Sequence, residues 1–269
     1  MKTKIQNSVL PLNQDGSVYH LHLLPEDVAD TIILVGDPDR VALISRHFSS
    51  VEVKKQHREF VTHTGLYQHK RITVISTGIG AGNIDIVLTE LDALKNIDLK
   101  SRYQKEQPSS LCFIRLGTTG VLQEHIAPGS AVISAYAAGF DGLMHFYQHK
   151  ARIPGLHEQC QHTLENSLLK HNVYTSAADP MLLQQFDSVG TKGITLTAHG
   201  FYGAQNREVR APLSTLQLLE PFHNLTFRNL RVTNFEMETA MIYALSQLLG
   251  HKAISISSAV YNRITDQVA

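Results

Sequence analysis

The stretch TIILVGDPDRVALISRHF (31–48) decides the fold class. Aliphatic and β-branched residues stop at Gly36, pass through Asp-Pro and resume in a helical pattern, which predicts a strand, a tight turn and a helix. Downstream, EFVTHTGLY (59–67) and KRITVIST (70–77) alternate apolar and polar residues around Gln68 and His69, as two antiparallel strands would. GIGAGNIDIVLTELDALKNI (78–97) reads as a glycine-rich turn and an amphipathic helix. LCFIRLG (111–117), GSAVISAYAA (129–138) and KAISISSAV (252–260) read as strands, and LHEQCQHTLENSLLKH (156–171) and METAMIYALSQLLG (237–250) as helices. Strands alternate with helices without an internal repeat, so the expectation is a single α/β domain, a twisted mixed central sheet flanked by helices. Residues 1–18 read as a polar surface arm and 19–269 as the domain; SRYQKEQPSS (101–110) is a loop insertion too short for a linker.

Charge narrows the function classes. The 24 basic residues balance the 24 acidic ones, which argues against nucleic-acid or membrane-surface partners. The polar start MKTKIQNSVL and the lack of a long apolar run lead to the expectation of a soluble, cytoplasmic protein. Cys112 and Cys160 have no metal-ligand spacing, and the 15 histidines are scattered.

The unusual residues gather at predicted strand ends, where α/β folds bind ligands. In GDPDR, Gly36 lets backbone approach a ligand and Arg40 offers a planar fork to an oxyanion; the plainer alternative is a helix start capped by Asp37. In RLGTTG, Arg115 leaves an apolar strand and needs an anion, with the hydroxyls of Thr118 and Thr119 beside it. That anion is either a phosphate or a structural carboxylate, and the stretch matches neither the Walker pattern nor GxGxxG. FYGAQNR supplies a stacking face, Phe201, with the donors and acceptor of Gln205 and Arg207, a set suited to a planar heterocycle. In NFEMETA (234–240), Glu236 and Glu238 share a face only if the segment is extended, with Met237 turned away as an apolar wall. Carboxylates accept well from vicinal hydroxyls, so sugar recognition is favoured over paired acid/base work; the alternative is a capping box of Thr233 and Glu236.

GDPDR, HREF, STGIGAG, IRLGTTG, FYGAQNR, NFEMETA and AVYNR together, in this order, resemble the signatures of uridine phosphorylases in the nucleoside phosphorylase superfamily, over about Tyr19 to Arg263. The resemblance implies phosphorolysis of uridine to uracil and ribose 1-phosphate, with phosphate as co-substrate and no redox cofactor. It implies phosphate contacts from Gly36, Arg40, Arg115, Thr118 and, from a neighbouring subunit, Arg58. It implies ribose contacts from Glu236, Met237 and Glu238, with a neighbour's His20, in YHLHL, on the 5′ hydroxyl. For the base it implies Phe201, Gln205 and Arg207, with Val260 and Tyr261 lining the pocket. Arg115, Arg207 and Gln205 would then carry the catalysis. Shared sites imply a homodimer at least, or a hexamer of dimers.

The match has departures. Purine-cleaving relatives carry a Ser-Asp pair after the last strand, whereas ISSAVYNR (256–263) has Ser257, Ser258 and Ala259 and no acid, which disfavours purine and thioether nucleosides. A monovalent cation, held in some members at the dimer interface, would fall on Glu59, Ile79 and Asn83. Here that turn reads Ala81-Gly82-Asn83 where the family often has Gly-Pro-Ser. The chain ends at TDQVA where relatives continue into a helix, which leaves open a nucleoside-binding homologue without turnover.

Overall fold

The computed structural model describes residues 3–148, 152–214 and 219–269. The backbone forms two compact units, one made of the chain up to Ile114 with Leu249–Lys252, the other of Arg115–Leu248 with Ala253–Ala269.

The first unit begins with β1 (Thr31–Val35) and α1 (Asp39–Ser45), the strand, turn and helix expected from the sequence. A hairpin array follows: β2 (Ser50–His57), β3 (Phe60–Tyr67) and β4 (Lys70–Ser76), then α2 (Ala81–Asn96). β2 and β4 each pair antiparallel with β3, and β1 pairs in parallel with β4, so this sheet is mixed. Ile32 and Leu34 on β1 and Ile84, Val87, Leu88 and Leu91 on α2 are fully buried, which gives the helix its amphipathic character.

The segment read as a polar arm is docked instead. Leu10 packs with Ala93 and Ile97, and Ile5, Leu12 and Leu99 lie against that cluster. The reason is Arg102, a buried residue of the supposed loop insertion, whose guanidinium donates to the carbonyls of Ile5, Gln6 and Leu10. The insertion is structured too: β5 (Ile97–Asp98) pairs with β6 (Tyr103–Gln104).

The second unit contains most of β7 (Cys112–Val121), then β8 (Ala131–Gly139), α3 (Leu156–Thr163), β9 (Tyr174–Ala177), α4 (Pro180–Gln185) and β10 (Thr191–Thr197). α5 (Leu219–His223), β11 (Thr226–Phe227), β12 (Leu230–Glu236), α6 (Thr239–Leu249), β13 (Lys252–Asn262) and β14 (Gln267–Val268) complete it. β10 runs parallel to both β8 and β12, while β13 and β9 are antiparallel to β8. The mixed α/β architecture therefore stands.

Two expectations shift. RLGTTG was placed at a strand end, but β7 continues through it to Val121, because Gly120 and Val121 pair with Phe235 and Asn234 of β12. The predicted helix over 156–171 stops at Thr163 and resumes as a short 3-10 turn at Leu168–His171, where Ser167 accepts the amide of Leu169. Within PLSTLQLLE (212–220), residues 215–218 lie outside the described residues.

Candidate active site

The acidic stretch explains itself once the end of β12 is in view. β12 brings Glu236 up as its last residue, and α6 starts three residues later at Thr239. The intervening segment is not helical, so both carboxylates reach one cation, as the extended reading required. Glu238 Oε2 lies 2.5 Å and Glu236 Oε2 3.0 Å from Nη2 of Arg115, and all three side chains are buried. Burial works against charge on the guanidinium, but the pull of Glu236 and Glu238 outweighs it and raises the Arg115 pKa above its ordinary value. Nη1 donates to Ser257 Oγ at 3.2 Å. Gly117 is required here, since any Cβ at that position would collide with the guanidinium.

The two acids are not equivalent. Glu236 accepts the amides of Glu238 (3.0 Å) and Thr239 (3.1 Å) and the hydroxyl of Thr197 (2.6 Å), and its ion pair with Arg115 comes in addition. Through these bonds Glu236 ties the sheet to the start of α6. The capping-box alternative is half right: Glu236 caps the helix start, but Thr233 turns its hydroxyl to Asn234 and to the Ile194 carbonyl. Glu238 faces Arg115, and Met237 beside it is half-buried.

Below these side chains a buried polar network fixes the strand ends. Ser134 and Thr195 are hydrogen-bonded at 2.5 Å, Thr195 donates to Asn234, and Asn234 donates to Thr119. Thr119 in turn donates to the Phe235 carbonyl. Thr119 is thus committed to the scaffold, whereas Thr118 is exposed, consistent with its being the threonine expected to meet a ligand.

A second cluster holds the heterocycle-reading trio. The Arg207 guanidinium carbon sits 4.3 Å from the Phe201 ring centroid and 4.7 Å from that of Tyr261. The Tyr261 ring lies over Gly120 so closely that a side chain there would overlap it. Gln205 is buried, and among the described residues its Oε1 has no hydrogen-bond partner; nor do Nε and Nη2 of Arg207. Unmet buried polar atoms cost about 1–3 kcal/mol each, so their concentration at one place marks groups arranged for a ligand. Burial lowers the Arg207 pKa. Val260 and Tyr261 are both half-buried on β13.

Arg263 was missed by the reading of the sequence. Its Nη1 is also buried without a hydrogen-bond partner among the described residues, and burial, with Arg207 next, pushes its pKa down to about 10. The available signal was a second arginine at the end of an apolar strand, the same feature that singled out Arg115. Asp141, just past β8, was missed as well. Burial raises its pKa, although it accepts hydrogen bonds from the Tyr174 hydroxyl at 2.5 Å and the Leu143 amide.

In the first unit, Gly36 follows β1 and Arg40 lies in the first turn of α1; the helix N-cap is Pro38 rather than Asp37, and Asp37, one residue earlier, accepts the Asp39 amide. Arg58 occupies the β2–β3 turn with φ 55° and lies over the Tyr19 ring at 5.7 Å. His20 is held by buried Glu90 on α2: Nδ1 stands 2.6 Å from Glu90 Oε1, and the backbone amides of His20 and Leu21 donate to the same carboxylate. Because a carboxylate only accepts, the ring proton sits on Nδ1 and Nε2 is left as the acceptor when His20 is neutral. Glu59 and Asn83 both pack against Gly78, and Ile79 is exposed beside them. Among the described residues no group of three or more His, Cys, Asp or Glu side chains is placed to hold a metal ion. No helix among them is long and apolar enough to cross a membrane.

The family model described as "Phosphorylase superfamily" matches residues 30–269. A uridine phosphorylase of Thermococcus kodakarensis is 30% identical, over 99% of this chain and 85% of that protein. A DeoD-type purine nucleoside phosphorylase of Listeria welshimeri is 26% identical, over 88% of this chain and 84% of that one. Among solved structures, a Trypanosoma brucei nucleoside phosphorylase described as showing uridine phosphorylase activity superposes with a TM-score of 0.87 at 30% identity, covering 96% of this chain and 92% of its own. The chain belongs to the phosphorylase superfamily.

Proposed function

We propose that this protein cleaves uridine with phosphate, giving uracil and ribose 1-phosphate. The observation that carries the reading is the set of unmatched buried polar atoms on Gln205, Arg207 and Arg263 around the Phe201–Arg207–Tyr261 stack. A pyrimidine ring presents carbonyl and N–H groups along one edge. Gln205 Oε1 accepts from the ring N–H, and the two guanidinium groups donate to carbonyl oxygens. The relatives named as uridine phosphorylases support the same assignment.

Phosphate attacks C1′ of the ribose as the bond to N1 of uracil breaks. Positive charge grows on the sugar and negative charge on the departing base. Arg115 and Thr118 orient the phosphate, with Gly36 and Arg40 as further contacts by resemblance. Glu238 accepts from the ribose hydroxyls, and Met237 packs against the sugar. Arg207 and Arg263 stabilise the departing uracil anion, which is delocalised enough to leave without a proton from a strong acid. This suits a strand that reads Ser257-Ser258-Ala259 and offers no carboxyl there.

Arg58 and His20 are assigned to a neighbouring copy's site, so the working unit is a homodimer or a hexamer of dimers. His20 would then accept the 5′ hydroxyl proton at Nε2. A cytoplasmic location, where nucleosides and phosphate are both at hand, belongs to the same reading.

The test is product formation from uridine and from inosine, each with and without phosphate. Uracil and ribose 1-phosphate should appear only from uridine with phosphate. Phosphate-independent cleavage, or a preference for inosine, would refute the assignment.

A further inference from the structure

The ring and backbone of His20 are fixed by their own chain. Glu90 Oε1 lies 2.6 Å from Nδ1, the Tyr19 ring stands perpendicular to the imidazole with centroids 4.9 Å apart, and His57 Nδ1 donates to the His20 carbonyl at 2.8 Å. Tyr19 also lies under Arg58, so the two side chains assigned to a neighbouring copy are held together. Glu90 is buried, and it accepts the amides of His20 at 3.1 Å and Leu21 at 2.9 Å as well as the ring. An ionised carboxylate has no hydrogen to return. Neutral His20 is thereby confined to the tautomer with its proton on Nδ1 and a bare lone pair on Nε2.

We infer that Glu90 is a positioning residue that sets the polarity of the 5′ contact, so that the site takes nucleosides with a hydrogen-bond donor on C5′. This role rests on the proposed function, in which His20 meets the 5′ hydroxyl in a neighbouring copy, and it narrows the substrate class. A 5′ hydroxyl can turn its hydrogen to Nε2. A 5′ ether, a 5′ fluoride or a fully ionised 5′ phosphate has no hydrogen to give and sets one lone pair against another. Glu90 thus helps to separate nucleosides from nucleotides without touching either.

Uridine and 5′-deoxy-5′-fluorouridine, similar in size and electron withdrawal at C5′, provide the test at about pH 8.5, where an ordinary imidazole is neutral. The native protein should favour uridine by about tenfold in kcat/KM, the contribution of one hydrogen bond. In Glu90→Gln the amide oxygen can keep the backbone amides while the NH2 group donates to Nδ1, which moves the ring proton to Nε2. Hydroxyl and fluorine then both face a donor, and the preference should fall to within about threefold. A Glu90 that only braces the fold would lower both substrates together and keep the ratio. Nitrogen-15 spectra give a second readout, with the His20 proton on Nδ1 in the native protein and on Nε2 in the variant. In protein that cleaves uridine, an unchanged ratio in the variant would overturn the assignment and leave the proposed function standing. On the native protein alone, a proton on Nε2 or a preference below about twofold would do the same. Absence of uridine cleavage would sink the function itself and this role with it.

Discussion

The carboxylate of Glu236 receives the amide hydrogen of Thr239 at 3.1 Å, which ties the end of β12 to the start of α6. Glu236 is thereby part of the scaffold that joins the strand to the helix. Glu236→Ala should destabilise the protein by about 3–5 kcal/mol, because it leaves the buried Arg115 charge short of a partner and uncaps the helix. Urea unfolding checks this. A loss below about 0.5 kcal/mol would place Glu236 with ordinary surface residues.

Arg115→Ala should lower kcat by about 100- to 1000-fold through lost orientation of phosphate. It should also leave Glu236 and Glu238 as two buried carboxylates facing each other, so one of them will take up a proton more readily than in the native protein. Steady-state kinetics and a pH titration of stability read the two effects separately. Phosphorolysis within a few-fold of the native rate would contradict the role.

The fold was legible where one local pattern decided each element. TIILV and KRITVIS are strands because their aliphatic residues alternate or run together, and the glycine-rich turn before α2 punctuates them. The docked N-terminus was not legible, because its anchor, Arg102, sits some 90 residues away in a polar stretch that reads as loop. At the site, the spacing of NFEMETA put both acids on one face only for an extended segment. It could not say that Thr197, on a different strand, would claim one of them. Arg263 escaped for the same reason, since its importance lies in its nearness to Arg207 rather than in its own neighbours in sequence.

His157 on α3 is buried, and among the described residues neither ring nitrogen has a hydrogen-bond partner. Burial, with Arg152 next, lowers its pKa below the ordinary 6.5. The unfolded chain then takes up a proton at a higher pH than the folded one, so folding stability falls as pH drops through about 6.5 and levels off below the folded pKa. His157→Leu should flatten that part of the stability–pH curve. A curve unchanged by the substitution would show that other groups govern it.

Arg58 is exposed in its turn, where it can serve a neighbouring copy. Inactive Arg58→Ala and Arg115→Ala subunits, unfolded and reassembled together, should recover activity in mixed assemblies, since some sites receive both arginines. Verified mixed assemblies with no recovery would confine each site to one chain.

The account depends most on how the base is held, and a crystal structure of the protein with uracil and phosphate tests that directly. The pyrimidine ring should lie face-on to Phe201, with Gln205 and the Arg207 guanidinium within hydrogen-bonding distance of its edge. A ring bound elsewhere, with the buried atoms of Gln205 and Arg207 still unmatched, would contradict it.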